Sequence, residues 1–168
     1  MQRIMIIGCP GSGKSTLARA IGDRLCLSVT HIDQFQFKAG WIDTVPEERD
    51  AKVREVIARP RWIIDGNYSS TIEDRMARAD TLIWLDIPIW RRLWRVARRT
   101  FRYYGQNRPD LPEGCPERLS PEFISYIVSS RKRQRAKAAA RYAVMSQRAQ
   151  ALRLRSSRDV QAFLERLK

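Results

Sequence analysis

Residues 8–16 read Gly-Cys-Pro-Gly-Ser-Gly-Lys-Ser-Thr, a complete G-x-x-x-x-G-K-[ST] pattern, and no other stretch constrains the fold as strongly. The pattern follows the apolar run Ile4-Met5-Ile6-Ile7 and opens a helical pattern through Leu17, Ala20, Ile21, Arg24 and Leu25. Strand, glycine-rich turn and helix in that order make a cradle for phosphate. Gly8, Gly11 and Gly13 let the backbone curl so that successive N–H groups point into one concavity. The helix that follows adds its unpaired N–H groups and the positive end of its dipole. Gly8, Gly11, Ser12, Gly13, Lys14, Ser15 and Thr16 are therefore expected to hold a nucleoside triphosphate. Lys14 is placed to reach the β- and γ-phosphates. Ser15 is placed to offer its hydroxyl to Mg²⁺, with Thr16 as a second candidate.

The rest of the chain alternates strand and helix patterns. Strands are expected at about 3–7, 28–32, 61–64, 81–85 and 152–155. Helices are expected from the loop to about 26, then at 46–59, 72–78, 89–103, 120–145 and 157–167. Residues 34–45 are aromatic and irregular, and 105–119 are loop-like and rich in Pro and Gly. Such alternation means an α/β fold with a parallel sheet, whose ligands gather at the carboxyl ends of the strands. Gly8, Asp33, Asp65 and Asp86 fall at those ends. A length of 168 residues fits one domain, 1–168, with a lid insertion at about 100–146.

The formal charge is +14, and residues 89–148 carry fifteen Lys or Arg against four acids. A block of that kind attracts polyanions, either nucleotide phosphates or a nucleic-acid backbone. No stretch has the apolar length of a membrane span. The chain runs directly into its first strand, and its three cysteines lack metal-site spacing. The expectation is a cytoplasmic protein with reduced thiols and no membrane partner.

Three aspartates are candidates for chemistry. Asp65 closes the run Trp62-Ile63-Ile64, and a carboxylate at such a strand tip beside a phosphate loop can hold Mg²⁺ through water. Asp86 closes Leu82-Ile83-Trp84-Leu85 in the same way, and the turn that follows it reads more like helix initiation. Asp33 ends the second strand, where it can take a proton from a substrate hydroxyl or orient that hydroxyl. His31, two residues earlier, reads as structural. Phe35, Phe37 and Trp41 either wall an acceptor pocket or form core under a lid. In the helix after Pro88, Arg91, Arg95, Arg98 and Arg102 share a stripe, and Arg99 lies four beyond Arg95. Arg95 and Arg99 are candidates to offset transition-state charge. Arg131, Arg133 and Arg135 begin a second cluster, and the two groups bracket a segment that reads as a lid.

On these residues the chain resembles the nucleoside monophosphate kinase group of phosphate-loop proteins, which includes adenylate, shikimate and gluconate kinases. Asp65-Gly66-Asn67 resembles the Asp-Gly turn of adenylate kinases. Leu85-Asp86-Ile87-Pro88 with Arg95 and Arg99 resembles their lid entry. Over nearly its whole length the chain is similar to small bacterial proteins called DNA topology modulation proteins. The matching segments include His31-Ile32-Asp33, Trp62 to Tyr68, Asn107 to Asp110, Glu113 to Glu117, and Leu154-Arg155-Ser156. The resemblance implies a three-layer phosphate-loop fold, strand order 2-3-1-4-5, a helical basic lid, and ATP and Mg²⁺ as cofactors. The chain lacks the arginine and Thr-Gly pattern that holds a nucleotide acceptor after the second strand. With Asp33 there, it is more like kinases of hydroxyl acceptors. A small-molecule kinase is the expectation, and a nucleic-acid-binding ATPase is the alternative.

Overall fold

The computed structural model describes residues 1–107, 111–118 and 120–167. Strand β1 (Arg3–Gly8) sits at the centre of a five-stranded parallel sheet. Its neighbours on one side are β5 (Trp62–Asp65) and then β2 (Val29–His31). On the other are β6 (Thr81–Leu85) and then β7 (Gln150–Leu154). The order is thus β2-β5-β1-β6-β7. By rank along the chain these are the second, third, first, fourth and fifth strands of the sheet. The numbering is offset because residues 34–45, expected to be irregular, form a two-stranded hairpin, β3 (Phe37–Lys38) with β4 (Ile42–Asp43).

The strands read as continuous apolar runs because both faces of the sheet are covered. Alternation along β1 sends Ile4 and Ile6 to one face. There they meet Leu17 and Ile21 of helix α1 (Lys14–Leu25) and Phe163 of α8 (Ser157–Arg166). Met5 and Ile7 go to the other face, which is covered by four helical segments. Two of them are α3 (Pro46–Ala58), through Val53 and Ile57, and α4 (Ile72–Arg78), through Met76. The other helices are α2 (Asp33–Gln36), α5 (Ile89–Tyr103), α6 (Pro121–Ser129) and α7 (Arg131–Ser146). Helix, sheet and helix make the three expected layers. Each large apolar side chain buried between them stabilises the fold by roughly 1.5–3 kcal/mol.

The helix expected over 120–145 is two helices. Ser130 ends α6 and starts α7, and its Oγ donates to the Tyr126 carbonyl one turn back, at 2.6 Å. Serine pairs and such back-bonding bend helices, and the chain bends here at Ser129-Ser130. The second half is anchored to the sheet. Ala138 and Met145 of α7 are in the sheet's core, and Tyr142 packs at 5.8 Å on Trp84. Within the expected lid, Arg108, Pro109, Asp110 and Leu119 lie outside the described residues. Strand register brings Gly8, His31, Asp65 and Leu85 to one edge of the sheet.

Candidate active site

At that edge the phosphate loop is held from three sides. Asn67 faces Gly8 like a strand partner: its Nδ2 donates to the Gly8 carbonyl at 2.7 Å, and its Oδ1 accepts from the Gly8 N–H at 3.1 Å. From α5, Arg95 Nη1 donates to the Ser12 carbonyl at 2.7 Å, and Arg92 Nη1 donates to the Pro10 carbonyl at 3.3 Å. Those bonds occupy outward-facing carbonyls and leave the loop's N–H groups to the concavity. The fit is close. A Cβ on Gly11 would lie 2.6 Å from the Arg92 carbonyl oxygen, and one on Gly8 would lie 2.8 Å from the Leu85 carbonyl oxygen. Gly11 and Gly13 have φ of 76° and 96°. The Ser12 hydroxyl is buried without a hydrogen-bond partner among the described residues. A buried unpaired donor inside a ring of N–H groups suits an anion with several acceptor oxygens. The loop therefore fits a triphosphate.

The loop opens into a cleft of about 1560 Å³. Lys14, Ser15 and Thr16 line it, as do Asp33, Arg95 and Arg99. All of the catalytic and triphosphate candidates except Gly8 thus line one cavity. Asp33 is exposed in the first turn of α2. Arg95 is half-buried, and burial together with the nearby charge of Arg91 holds its guanidinium below the ordinary arginine value. It stays cationic at neutral pH. Arg99 reaches Glu117 Oε1 at 3.2 Å, which also accepts from Thr100 Oγ1 at 2.9 Å.

Two expectations change. Arg91, Arg95, Arg98 and Arg102 share their stripe along one edge of α5, but of the four only Arg95 lines the cleft, and Arg98 and Arg102 are exposed. The inward face is Arg92, Val96 and Thr100. Asp65 does not line the cleft. It is buried behind the loop, with Oδ1 2.7 Å from His31 Nδ1. Asp86 is occupied as well, by Arg135 of α7 at 2.9 and 3.1 Å and by Arg153 of β7 at 3.1 and 2.5 Å. Burial pushes its carboxyl up, but the hydrogen bonds and charges of the two arginines outweigh that and hold it below the usual carboxylate value. Asp86 is a tether between α7 and the sheet tip rather than only a helix starter. Among the described residues no three His, Cys, Asp or Glu side chains gather as a metal cluster. Of the two metal candidates, Ser15 lines the cleft and would be the one to hold a Mg²⁺ there, and Asp65 is buried away from it.

The far wall is built by long-range contacts. The 3₁₀ turn Ala39–Trp41 carries Trp41 at φ 64°, a conformation that costs a large residue about 1–3 kcal/mol. Trp41 Nε1 donates to the Pro116 carbonyl at 3.2 Å, and its ring meets Phe37 edge-on at 5.2 Å. Gly40 N–H donates to the Gly114 carbonyl at 2.8 Å. Trp41 and Phe37 line the cleft, whereas Phe35 packs against the core. On the α7 side, Arg133, Lys137 and Arg141 line it at four-residue spacing. The described lining carries eight Lys or Arg and two carboxylates, Asp33 and Glu117.

Sequence reasoning missed Arg75, and it read Asn67 only as part of the turn after Asp65 and not as the partner of Gly8. Arg75 is fully buried and donates to the carbonyls of Thr71, Gly66 and Tyr68, so it shapes the turn that carries Asn67. Burial, with the nearby charge of Arg141, lowers its guanidinium to about 9. A basic residue among Ile72, Met76 and Ala79 on the inner face of α4 was the available signal.

No protein-family model matches the chain. The uncharacterized protein YqaC of Bacillus subtilis is 30% identical over 110 residues, covering 62% of this chain, and the chain spans about 60% of that relative's length. Among solved structures, shikimate kinase from Bacteroides thetaiotaomicron superposes with a TM-score of 0.58 at 19% identity, over 99% of this chain and 96% of the other. Shikimate kinase from Acinetobacter baumannii, in complex with shikimate, gives 0.56 at 16%, over 98% and 89%. A sugar kinase from Janibacter sp. gives 0.52 at 16%, over 99% and 91%. The chain has the fold of the phosphate-loop small-molecule kinases.

Proposed function

We propose that the protein transfers the terminal phosphoryl group of ATP to a hydroxyl of a small acceptor, with Mg²⁺. The observation that carries this is the single cleft shared by the Lys14 loop and the Asp33 carboxylate. In the reaction the acceptor oxygen bonds to the γ-phosphorus as the bond to the β-bridging oxygen breaks. The hydroxyl proton passes to Asp33 and then to water, and ADP leaves. Lys14, Arg95 and Arg99 offset the charge that spreads over the transferred group. Ser15 is the proposed Mg²⁺ ligand, and buried Asp65 adds negative charge behind it. Bound Mg²⁺ neutralises charge across the β- and γ-phosphates.

The lining also supports an acceptor that is itself anionic. Eight cations against two carboxylates exceed what MgATP, with about two net negative charges, offsets. Arg133 and Lys137 have no ion-pair partner among the described residues, and Arg141 is half-buried. The alternative of a nucleic-acid ATPase needs the block from Arg91 to Arg148 as one gripping face. Instead, several of its members are committed to contacts within the protein: Arg92 and Arg95 bond the phosphate loop, Arg135 bonds Asp86, and Arg148 bonds the Met76 carbonyl.

The test is ADP release from MgATP with matched pairs of hydroxyl compounds, neutral and carboxylated or phosphorylated. The expected result is acceptor-dependent turnover, faster with the anionic member of a pair. Turnover that needs DNA and no small acceptor would overturn this reading in favour of the alternative.

A further inference from the structure

Helix α5 serves the body of the protein with less than half of its circumference. Arg92, Val96 and Thr100 are buried, and Arg95 and Arg99 turn to the cleft. The remaining face carries Trp90, Trp94 and Phe101, which are 63, 60 and 90% exposed, and Tyr104 extends the row at 66%. At 100° per residue, the first three fall within about 40° of one another and span about 16 Å along the axis. Beside them runs a second row. The Arg91 guanidinium lies 4.8 Å from the Trp90 ring centre, that of Arg98 5.4 Å from Trp94, and that of Arg102 5.6 Å from Tyr103. These three arginines fall within about 40° of one another, centred about 80° around from the aromatics. Single exposed apolar residues are ordinary, but an aligned row of large aromatics marks a contact surface.

We propose that this face of α5 lies on the surface of an anionic phospholipid bilayer. The rings sit at headgroup depth and the adjoining arginines reach lipid phosphates, as in helices that lie in a membrane interface. Among the described residues no helix is long and apolar enough to cross a membrane. The expectation of no membrane partner rested on the lack of a span, and a helix lying on the surface needs none. Geometry favours a plane over other occupants. The row is a convex ridge, so its rings meet a flat surface together. A single nucleic-acid strand is held in a charged groove and stacks on open ring faces, whereas Trp90 and Trp94 each have a guanidinium over the ring. A second copy would set two arginine rows face to face on chains of formal charge +14. The residues assigned to phosphoryl transfer point elsewhere, so binding leaves them in place.

The experiment is co-sedimentation at physiological salt with vesicles of pure phosphatidylcholine and with vesicles containing a third phosphatidylglycerol. Three full-length proteins are compared: wild type, Trp90→Ser/Trp94→Ser/Phe101→Ser, and Arg98→Gln/Arg102→Gln. Wild type should pellet with the anionic vesicles and stay in solution with the neutral ones. The aromatic variant keeps every charge and should bind at least about tenfold more weakly. The arginine variant should lose about fivefold per residue. All substituted side chains are exposed, and unchanged affinity for ATP reports an intact fold. An aromatic variant that pellets like wild type would overturn the proposal, because net charge would then explain the attraction. So would loss of oligothymidylate binding with vesicle binding unchanged, or a wild-type dimer that the aromatic variant abolishes.

Discussion

Gly11, on the floor of the cleft, and Gly40, at the tip of its far wall, have nearly the same left-handed backbone, φ 76° against 78°. Around Gly11 the space is full to 2.6 Å, whereas beyond its two chain neighbours no described atom lies within 4 Å of where a Cβ on Gly40 would stand. The floor is a close-packed seat in which loop, strand tip and α5 fix one another through Asn67, Arg92 and Arg95. The far wall is a strained turn held by a few bonds to residues more than seventy positions away. A seat for a triphosphate must be formed before the ligand arrives, because preorganised dipoles cost nothing to align during reaction. A wall that meets the acceptor tolerates a looser construction, and loops carry such specificity.

If the floor is the part that handles charge, Lys14 carries the largest single effect. Lys14→Ala removes the loop's side-chain cation and should lower turnover at least about a hundredfold, toward a thousandfold. Steady-state ADP release checks it, and near wild-type turnover in the purified variant would dissolve the distinction between seat and wall. Asp33 marks where the floor meets the wall. Asp33→Asn should cost about a hundredfold on a hydroxyl acceptor, since the proton loses its receiver. A phosphate acceptor needs no base, so an unaffected rate on a nucleoside monophosphate would move the acceptor class.

The two glycines test the comparison directly. Gly11→Ala meets both the left-handed backbone cost and a backbone oxygen that cannot give way without moving α5. It should lower stability by more than about 2 kcal/mol and weaken ATP binding at least about tenfold. Gly40→Ala meets only the conformational cost, about 1 kcal/mol, and should leave ATP binding intact. Urea unfolding and nucleotide titration on both variants give the answer, and equal losses would mean that packing is not what separates the regions.

The floor was legible in the sequence because its signals are local. The glycine spacing, the apolar runs that end at Asp65 and Asp86, and the helical phase of 89–103 each sit within fifteen residues. The far wall was not, because its bonds join distant segments: Trp41 to Pro116, Gly40 to Gly114, and Asp86 to Arg135 and Arg153. Asp65 shows the limit within the floor itself. Its place at a strand tip could be read from the run before it. Its burial against His31 follows from the pairing of β2 with β5, which no local pattern states. Which arginines of the shared stripe reach the cleft was hidden for the same reason, since the buried side of α5, Arg92, Val96 and Thr100, is set by distant segments.

The smallest expected effect concerns the tether that joins α7, and with it the cationic row of the wall, to the sheet. Arg135 is largely exposed, so water screens part of its attraction, and Asp86→Asn should cost about 1–2 kcal/mol at neutral pH. The pH dependence identifies the cause. In the unfolded chain Asp86 titrates near 3.8; in the folded protein the hydrogen bonds from Arg135 and Arg153 outweigh burial and hold it lower. The unfolded state therefore binds more protons between those two values, and stability rises with pH there. The contribution is complete above the unfolded value and is lost as pH falls through the folded one. Unfolding midpoints for wild type and Asp86→Asn should differ by a constant amount from pH 7 down to about pH 5 and converge below about pH 4. A gap that persists unchanged at low pH would show that shape rather than charge holds α7 to the sheet. The wall would then be as firmly packed as the floor.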